Sequence, residues 1–154
     1  MKKLKFLLSI ILLIGISSCG YSRLNGQSNE LKFNTIEING DKRLANILKN
    51  KLTLLSKTES KNTYDLSINL TYSKASKIKD ATGKTTRFNL VLNGDLKLTN
   101  NKKVVYNKMF TVGNDYDVSK NHSDTIRNEK NSMQNNVDAL SEEITKYIQL
   151  INLN

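Results

Sequence analysis

Apolar and polar residues alternate with a period of two over residues 64–72, where Tyr64, Leu66, Ile68, Leu70 and Tyr72 are separated by Asp65, Ser67, Asn69 and Thr71. That spacing predicts a half-buried β-strand. A second alternating run carries Phe88, Leu90, Leu92, Leu96 and Leu98 on one side, with Gly94 as an expected bulge or bend. Residues 99–102 read as a hairpin turn, because Asn100 and Asn101 tolerate left-handed backbone. The return strand holds Val104, Tyr106, Phe110 and Val112, and Lys108 interrupts its apolar face. A lysine-rich connection is expected over 74–84 and a polar turn over 113–121.

Helical spacing flanks this meander. Leu44, Ile47, Leu48, Leu52 and Leu55 recur at steps of three and four, which predicts an amphipathic helix over 42–56 of about four turns, N-capped by Asp41. Before it, residues 33–39 form a short strand candidate with Ile36 and Ile38 on one face, ended by Gly40 and Asp41. After the meander, Ile126, Met133, Val137, Leu140, Ile144, Tyr147 and Ile151 predict a helix over 123–151, on the order of 40 Å long. Its first half holds Asn128, Asn131, Gln134, Asn135 and Asn136, so fraying or solvent exposure is expected there. Strand, helix, three strands and helix together predict an α+β, two-layer sandwich: two helices packed on a four-stranded, mostly antiparallel sheet.

The N-terminus follows a different pattern. Lys2, Lys3 and Lys5 precede an apolar run over 6–16, and Ser17, Ser18 and Cys19 follow it. A basic region, an apolar region and a small-residue cleavage site define an export signal. Ending that site on a thiol is the pattern of a bacterial lipoprotein signal, in which Cys19 is acylated and becomes the first mature residue. Residues 4–16 fall short of the roughly 20 apolar residues that span a bilayer, which argues against a transmembrane helix. A plain secretory signal with an incidental Cys19 is the other alternative. The expected division is a signal peptide over 1–18, a lipidated polar tether over 19–31, and one domain over 32–154. Gly20 stands where an Asp usually signals retention at the inner membrane, so an outer-membrane location is expected. Cys19 is the single cysteine, so no internal disulfide can form and stability must come from packing.

Charge changes the picture only a little. Without the three leader lysines, 21 basic residues face 14 acidic ones, an excess of about seven. Such a surface permits an anionic partner. Export argues against nucleic acid. Twenty lysines against four arginines, 21 asparagines and no proline or tryptophan also fit a compositional drift independent of any ligand. Two basic groups stand out: Lys74, Lys77, Lys79, Lys84 and Arg87 near one connection, and Lys102 and Lys103 at the hairpin turn. They read as phosphate-docking lysines or as solvated lysines that protect sheet edges.

Catalytic chemistry is thin. His122 is the single histidine and sits among Asn121, Ser123 and Asp124, which look like helix-start residues. Asp115 and Asp117 flank Tyr116 in a paired-carboxylate spacing, but a turn or cap role fits that polar stretch better. No metal-ligand cluster, nucleophile motif or phosphate-cradling loop is present in the sequence. The chain is expected to be a binder or an assembly part, not an enzyme, with no cofactor beyond the lipid on Cys19.

Along nearly the whole mature chain, the order of short motifs resembles the lipopolysaccharide-assembly lipoprotein family LptE. Cys19, Gly20 and Tyr21 resemble its mature start, residues 41–52 its first helix, and residues 64–68 its second strand. Thr86, Arg87 and Phe88 lead into a strand ending at Asn100 and Asn101, and Tyr116, Asp117 and Val118 precede the last helix. The last helix departs from the family in having Ser123, Asn131 and Asn135 where small apolar residues are usual. The resemblance implies a plug inside the outer-membrane β-barrel LptD that assists its assembly and binds lipopolysaccharide. It also implies that basic residues at one end of the sheet bind that glycolipid; Lys84, Arg87, Lys102 and Lys103 are the candidates. The alternative is a stand-alone periplasmic-facing lipoprotein that binds an apolar or anionic lipid.

Overall fold

The computed structural model describes residues 31–54, 56 and 62–151. The strand β1 (Leu31–Asn39) leads to helix α1 (Lys42–Thr53), then to strands β2 (Asn62–Lys79), β3 (Thr85–Asn100) and β4 (Lys103–Asp117), and last to helix α2 (His122–Ile151). The sheet order is β1-β2-β3-β4. β1 runs parallel to β2, while β2–β3 and β3–β4 are antiparallel hairpins. Both helices pack on one sheet face, α1 against β1 and α2 against β3 and β4, and they touch each other. The fold is the expected two-layer α+β sandwich.

Alternation decides which residues enter the core. Leu66, Ile68 and Leu70 from β2, Leu90, Leu92, Leu96 and Leu98 from β3, and Phe110 and Val112 from β4 are buried. Leu44, Leu48 and Leu52 of α1 and Val137, Leu140, Ile144 and Ile148 of α2 close over them. Each buried leucine or isoleucine contributes about 1.5–3 kcal/mol from removal of its surface from water. Asp41 caps α1 by accepting hydrogen bonds from the backbone nitrogens of Arg43 and Leu44. Gly40 before it has φ +126°, and a Cβ there would meet the Leu70 carbonyl oxygen at 2.5 Å, so the turn into α1 requires glycine.

Several boundaries differ from the periodicity. β2 continues to Lys79 and β4 to Asp117, through stretches expected to be connection and turn. Ladder hydrogen bonds between β2, β3 and β4 keep those residues extended where the apolar alternation has already stopped. Tyr72 is half exposed rather than core, because β1 and α1 cover only the first part of β2; β1 pairs no further than Asn69. α1 ends at Thr53, three residues earlier than expected; Leu55 lies outside the described residues. In β1 a register shift after Phe33 skips Asn34, so Phe33 joins Ile36 and Ile38 on the core side despite the odd spacing.

Gly94 is not a bulge. It pairs in regular register with Leu70 and Phe110, and its missing side chain makes room for Leu140, whose Cδ2 would lie 3.2 Å from an added Cβ. The irregularity falls instead near the hairpin, where Leu98 pairs with Tyr106 and Thr99 with Val104. Val105 is the extra residue, and Val104 is exposed rather than core. The turn itself uses Asn101 (φ 48°) and Lys102 (φ 65°) as its two left-handed residues, one position later than the Asn pair expected.

Candidate functional site

Cys19, the residue with the most specific expected role, lies outside the described residues. The fold nevertheless fixes where the chain from it arrives. Leu31 pairs with Asn62, and three residues further along β2 Asp65 pairs with Thr99. The start of β1 is therefore level with the β3–β4 hairpin, and the β2–β3 turn lies at the opposite end.

The four candidate cations divide between these ends. Lys102 and Lys103 are exposed at the hairpin, on the side where β1 begins. Lys84 is exposed in the β2–β3 turn, and Arg87 lies in the first turn-proximal stretch of β3. β3 has 16 residues, so the two pairs are separated by roughly 50 Å at ~3.3 Å per residue. They do not converge on one ligand headgroup.

At the β2–β3 end three of the cations are drawn into ion pairs. Arg87 Nε lies 2.6 Å from Asp117 Oδ1, Lys77 Nζ 2.5 Å from Asp115 Oδ2, and Lys74 Nζ 2.8 Å from Glu129 Oε2. Asp115 and Asp117 are thus strand residues matched to cations, not turn or cap groups. The hydrogen bond from Lys77, then that from Asn89, holds the Asp115 carboxyl below the ordinary range. Asp117 in turn raises the Arg87 guanidinium. His122 is exposed at the first residue of α2, as a surface position would be. The turn is shaped by Asp80, whose Oδ1 accepts from the Thr82 nitrogen and hydroxyl and from the Lys84 nitrogen. Lys74 also lies 4.5 Å above the Phe88 ring, which stacks on Tyr116 at 5.6 Å. The Tyr116 hydroxyl is buried without a hydrogen-bond partner, and burial raises its pKa.

The first half of α2, expected to fray or to be solvent-exposed, does expose Ile126, Asn131 and Asn135, but it does not stand free of the sheet. It is docked by polar contacts instead. Asn128 donates to the Asp117 carbonyl and the Ser119 hydroxyl, Ser132 and Asn114 hydrogen-bond through their side chains, and buried Asn136 donates to the Leu90 carbonyl at 3.0 Å. These residues repeat every four positions and run into Leu140, Ile144 and Ile148, so one stripe of α2 faces the sheet throughout. The signal in the sequence is that spacing, which a search for apolar periodicity alone passes over.

The other sheet face carries no helix. Across it run Thr35, Asp65 and Thr99, then Asn39, Asn69 and Asp95, then Thr71, Asn93 and Thr111. Asn39 bonds Asn69 at 3.2 Å, Thr111 bonds Asn93 at 2.8 Å, and Asn34 and Thr35 both donate to Asp65. This is a broad polar surface of hydroxyls and amides with the carboxylates Asp65 and Asp95 among them. The helix–sheet interface, by contrast, is a continuous cluster of buried leucines, isoleucines and valines with Phe33 and Phe110. Open grooves remain beside β1 and between β4 and α2, the latter about 310 Å³ and lined by Lys108, Phe110, Tyr147 and Leu150. Lys108 sits 4.4 Å above the Tyr147 ring. Among the described residues no helix is long and apolar enough to cross a membrane, and no group of three or more acidic, histidine or cysteine residues could hold a metal ion.

The same fold occurs in solved bacterial lipoproteins. The minor lipoprotein of Acinetobacter baumannii is 17% identical, with a TM-score of 0.57 over 80% of this chain and 92% of that one. A lipoprotein B from Nitrosomonas europaea is 14% identical, with a TM-score of 0.56 over 81% and 90%. Rare lipoprotein B from Shewanella oneidensis is 14% identical, with a TM-score of 0.51 over 78% and 90%. At these identities the likeness is one of fold. No family model and no curated protein sequence matches the chain.

Proposed function

We propose that this chain is an outer-membrane lipoprotein, anchored through an acylated Cys19, that plugs and assists assembly of the barrel protein LptD and binds lipopolysaccharide on its way to the outer leaflet. One observation carries the plug reading: the helix-free sheet face is polar, with its hydroxyl, amide and carboxylate groups hydrogen-bonded among themselves. A body seated inside a β-barrel must present such a face, because barrel interiors are polar. The continuous core supports a body that acts by its surface. The leader ending in Cys19 and the fold shared with bacterial lipoproteins support the anchored half of the reading. Co-purification from detergent-solubilised outer membranes tests it. A large β-barrel protein recovered in equal amount is the expected result; recovery of the chain alone refutes the plug.

A second reading has its own observation. The groove between β4 and α2 combines apolar Met109 and Leu150 with Lys108 and Lys146 against the single acid Glu143, a net basic lining that suits an anionic amphiphile on a stand-alone lipoprotein. Native mass spectrometry of the purified protein separates the two, since a retained lipid without a barrel partner favours the groove.

A further inference from the structure

Of the large apolar residues exposed among the described ones, Ile78 and Ile126 stand toward the β2–β3 turn, whereas the leucines and valines gather at the other end of the sandwich. Val104 is 60% exposed, Val105 48%, Leu54 84% and Leu150 61%. The bulge at Val105 turns both valines outward, where an unbroken strand would have hidden one. Leu54 follows the last turn of α1, close to β1, since the Phe33 nitrogen donates to the Ser56 hydroxyl. Leu150 is in the last turn of α2 beside Lys108 and Met109, in a groove where Lys108 and Lys146 outnumber the one acid, Glu143. Exposed Lys102 and Lys103 stand at the tip of the same end. Asp65, an acidic neighbour there, is occupied by Asn34 and Thr35.

This is also the end where β1 begins. Eleven residues, 20–30, separate Cys19 from β1, and fully extended they reach about 40 Å. The end bearing the valines and lysines is therefore the end from which the chain to Cys19 leaves, and it lies within about 40 Å of whatever Cys19 is fixed in. We propose that this end is a docking surface for an anionic bilayer, with Val104, Val105, Leu54 and Leu150 entering the interface and Lys102 and Lys103 pairing with lipid phosphates. A few apolar side chains with basic neighbours bind such surfaces by partial burial plus electrostatic attraction. They also supply the second contact that an acyl anchor needs to hold a domain in a fixed orientation. The proposal rests on the anchoring half of the reading above and not on the barrel half.

The chain has no tryptophan, so single introduced tryptophans report without background. The protein, purified with its own N-terminal anchor, is reconstituted into phosphatidylethanolamine–phosphatidylglycerol vesicles whose acyl chains carry bromine, with no barrel protein present. Val104→Trp and Leu150→Trp should shift to the blue and lose emission to bromine quenching, whereas Ile78→Trp at the opposite end should do neither. Lys102→Glu with Lys103→Glu should weaken quenching of Val104→Trp, as should replacing phosphatidylglycerol by phosphatidylcholine. Equal quenching at all three sites, or none at 104 and 150, overturns the proposal. Quenching that ignores both the glutamates and the lipid charge overturns its electrostatic part. The mass of the acyl group on Cys19, measured separately, reports whether the anchor itself was misassigned.

Discussion

The side-chain amide of Asn136, only 2% exposed, donates to the main-chain carbonyl of Leu90 and ties the polar half of α2 to the middle strand of the sheet. A buried amide without its acceptor, or a buried carbonyl without its donor, costs about 1–3 kcal/mol. Asn136→Ala should lower the unfolding free energy by about that amount. Urea denaturation at constant m-value checks this, and a loss below a few tenths would mean the contact is incidental.

Gly94 and Leu140 are coupled through the space one leaves for the other. Gly94→Val should destabilise by about 1–3 kcal/mol through overpacking, and Leu140→Ala by about 2–5 through a cavity. Because the two changes are complementary in volume, the double variant should lose less than their sum. A double-mutant cycle measures the difference, and strict additivity would contradict the shared space.

Glu129 and Lys74 make stability depend on pH at both extremes. Burial is the largest single influence and works against charge on each, but the hydrogen bond between them, their mutual attraction and the neighbouring Tyr116 together outweigh it, so Glu129 titrates below its ordinary 4.5 and Lys74 above its ordinary 10.5. Glu129 therefore stabilises fully above pH 4.5, and that contribution fades as pH falls through its lowered value. Lys74 stabilises fully below pH 10.5 and loses its contribution as pH rises through its raised value. Unfolding of Glu129→Gln followed from pH 7 to 3 should converge with the native protein at the acid end. Parallel curves throughout would remove the pair from the pH dependence.

The separation of the candidate cations allows the proposed glycolipid binding to be tested one end at a time. If lipopolysaccharide docks at one end, replacing Lys84 and Arg87 by Ala and replacing Lys102 and Lys103 by Ala should differ in effect, and only one pair should weaken binding. Surface plasmon resonance at two salt concentrations reads this. Equal losses would mean a diffuse electrostatic contact, and no loss in either pair would leave these residues as solvated surface.

The layers and the order of elements were legible because the apolar alternation of β2 and β3 and the heptad-like spacing of α1 survive in the residue types. The Asp41 cap was legible for the same local reason. What stayed hidden depends on partners distant in sequence. Lys74–Lys79 is strand because β3 pairs with it, Tyr72 is exposed because β1 stops at Asn69, and Asn136 is buried because a carbonyl of β3 waits for it. The candidate cations were legible as residue types, but only the register shows that they stand at opposite ends of a 16-residue strand.

β1 has nine residues and β2 has 18, a mismatch that divides the molecule into unequal halves. Near the start of β1 the sheet is four strands wide and dry beneath both helices. Beyond Asn69 it is three strands wide; Leu70, Leu90, Leu92 and Val112 are still buried, but Asn128, Ser132 and Asn136 hold the helix there through polar contacts. Backbone amides in the wide half should exchange hydrogen slowly, through global unfolding, and those in the narrow half faster, through local opening. The domain is then stiff at the end where β1 begins and pliant toward the β2–β3 turn.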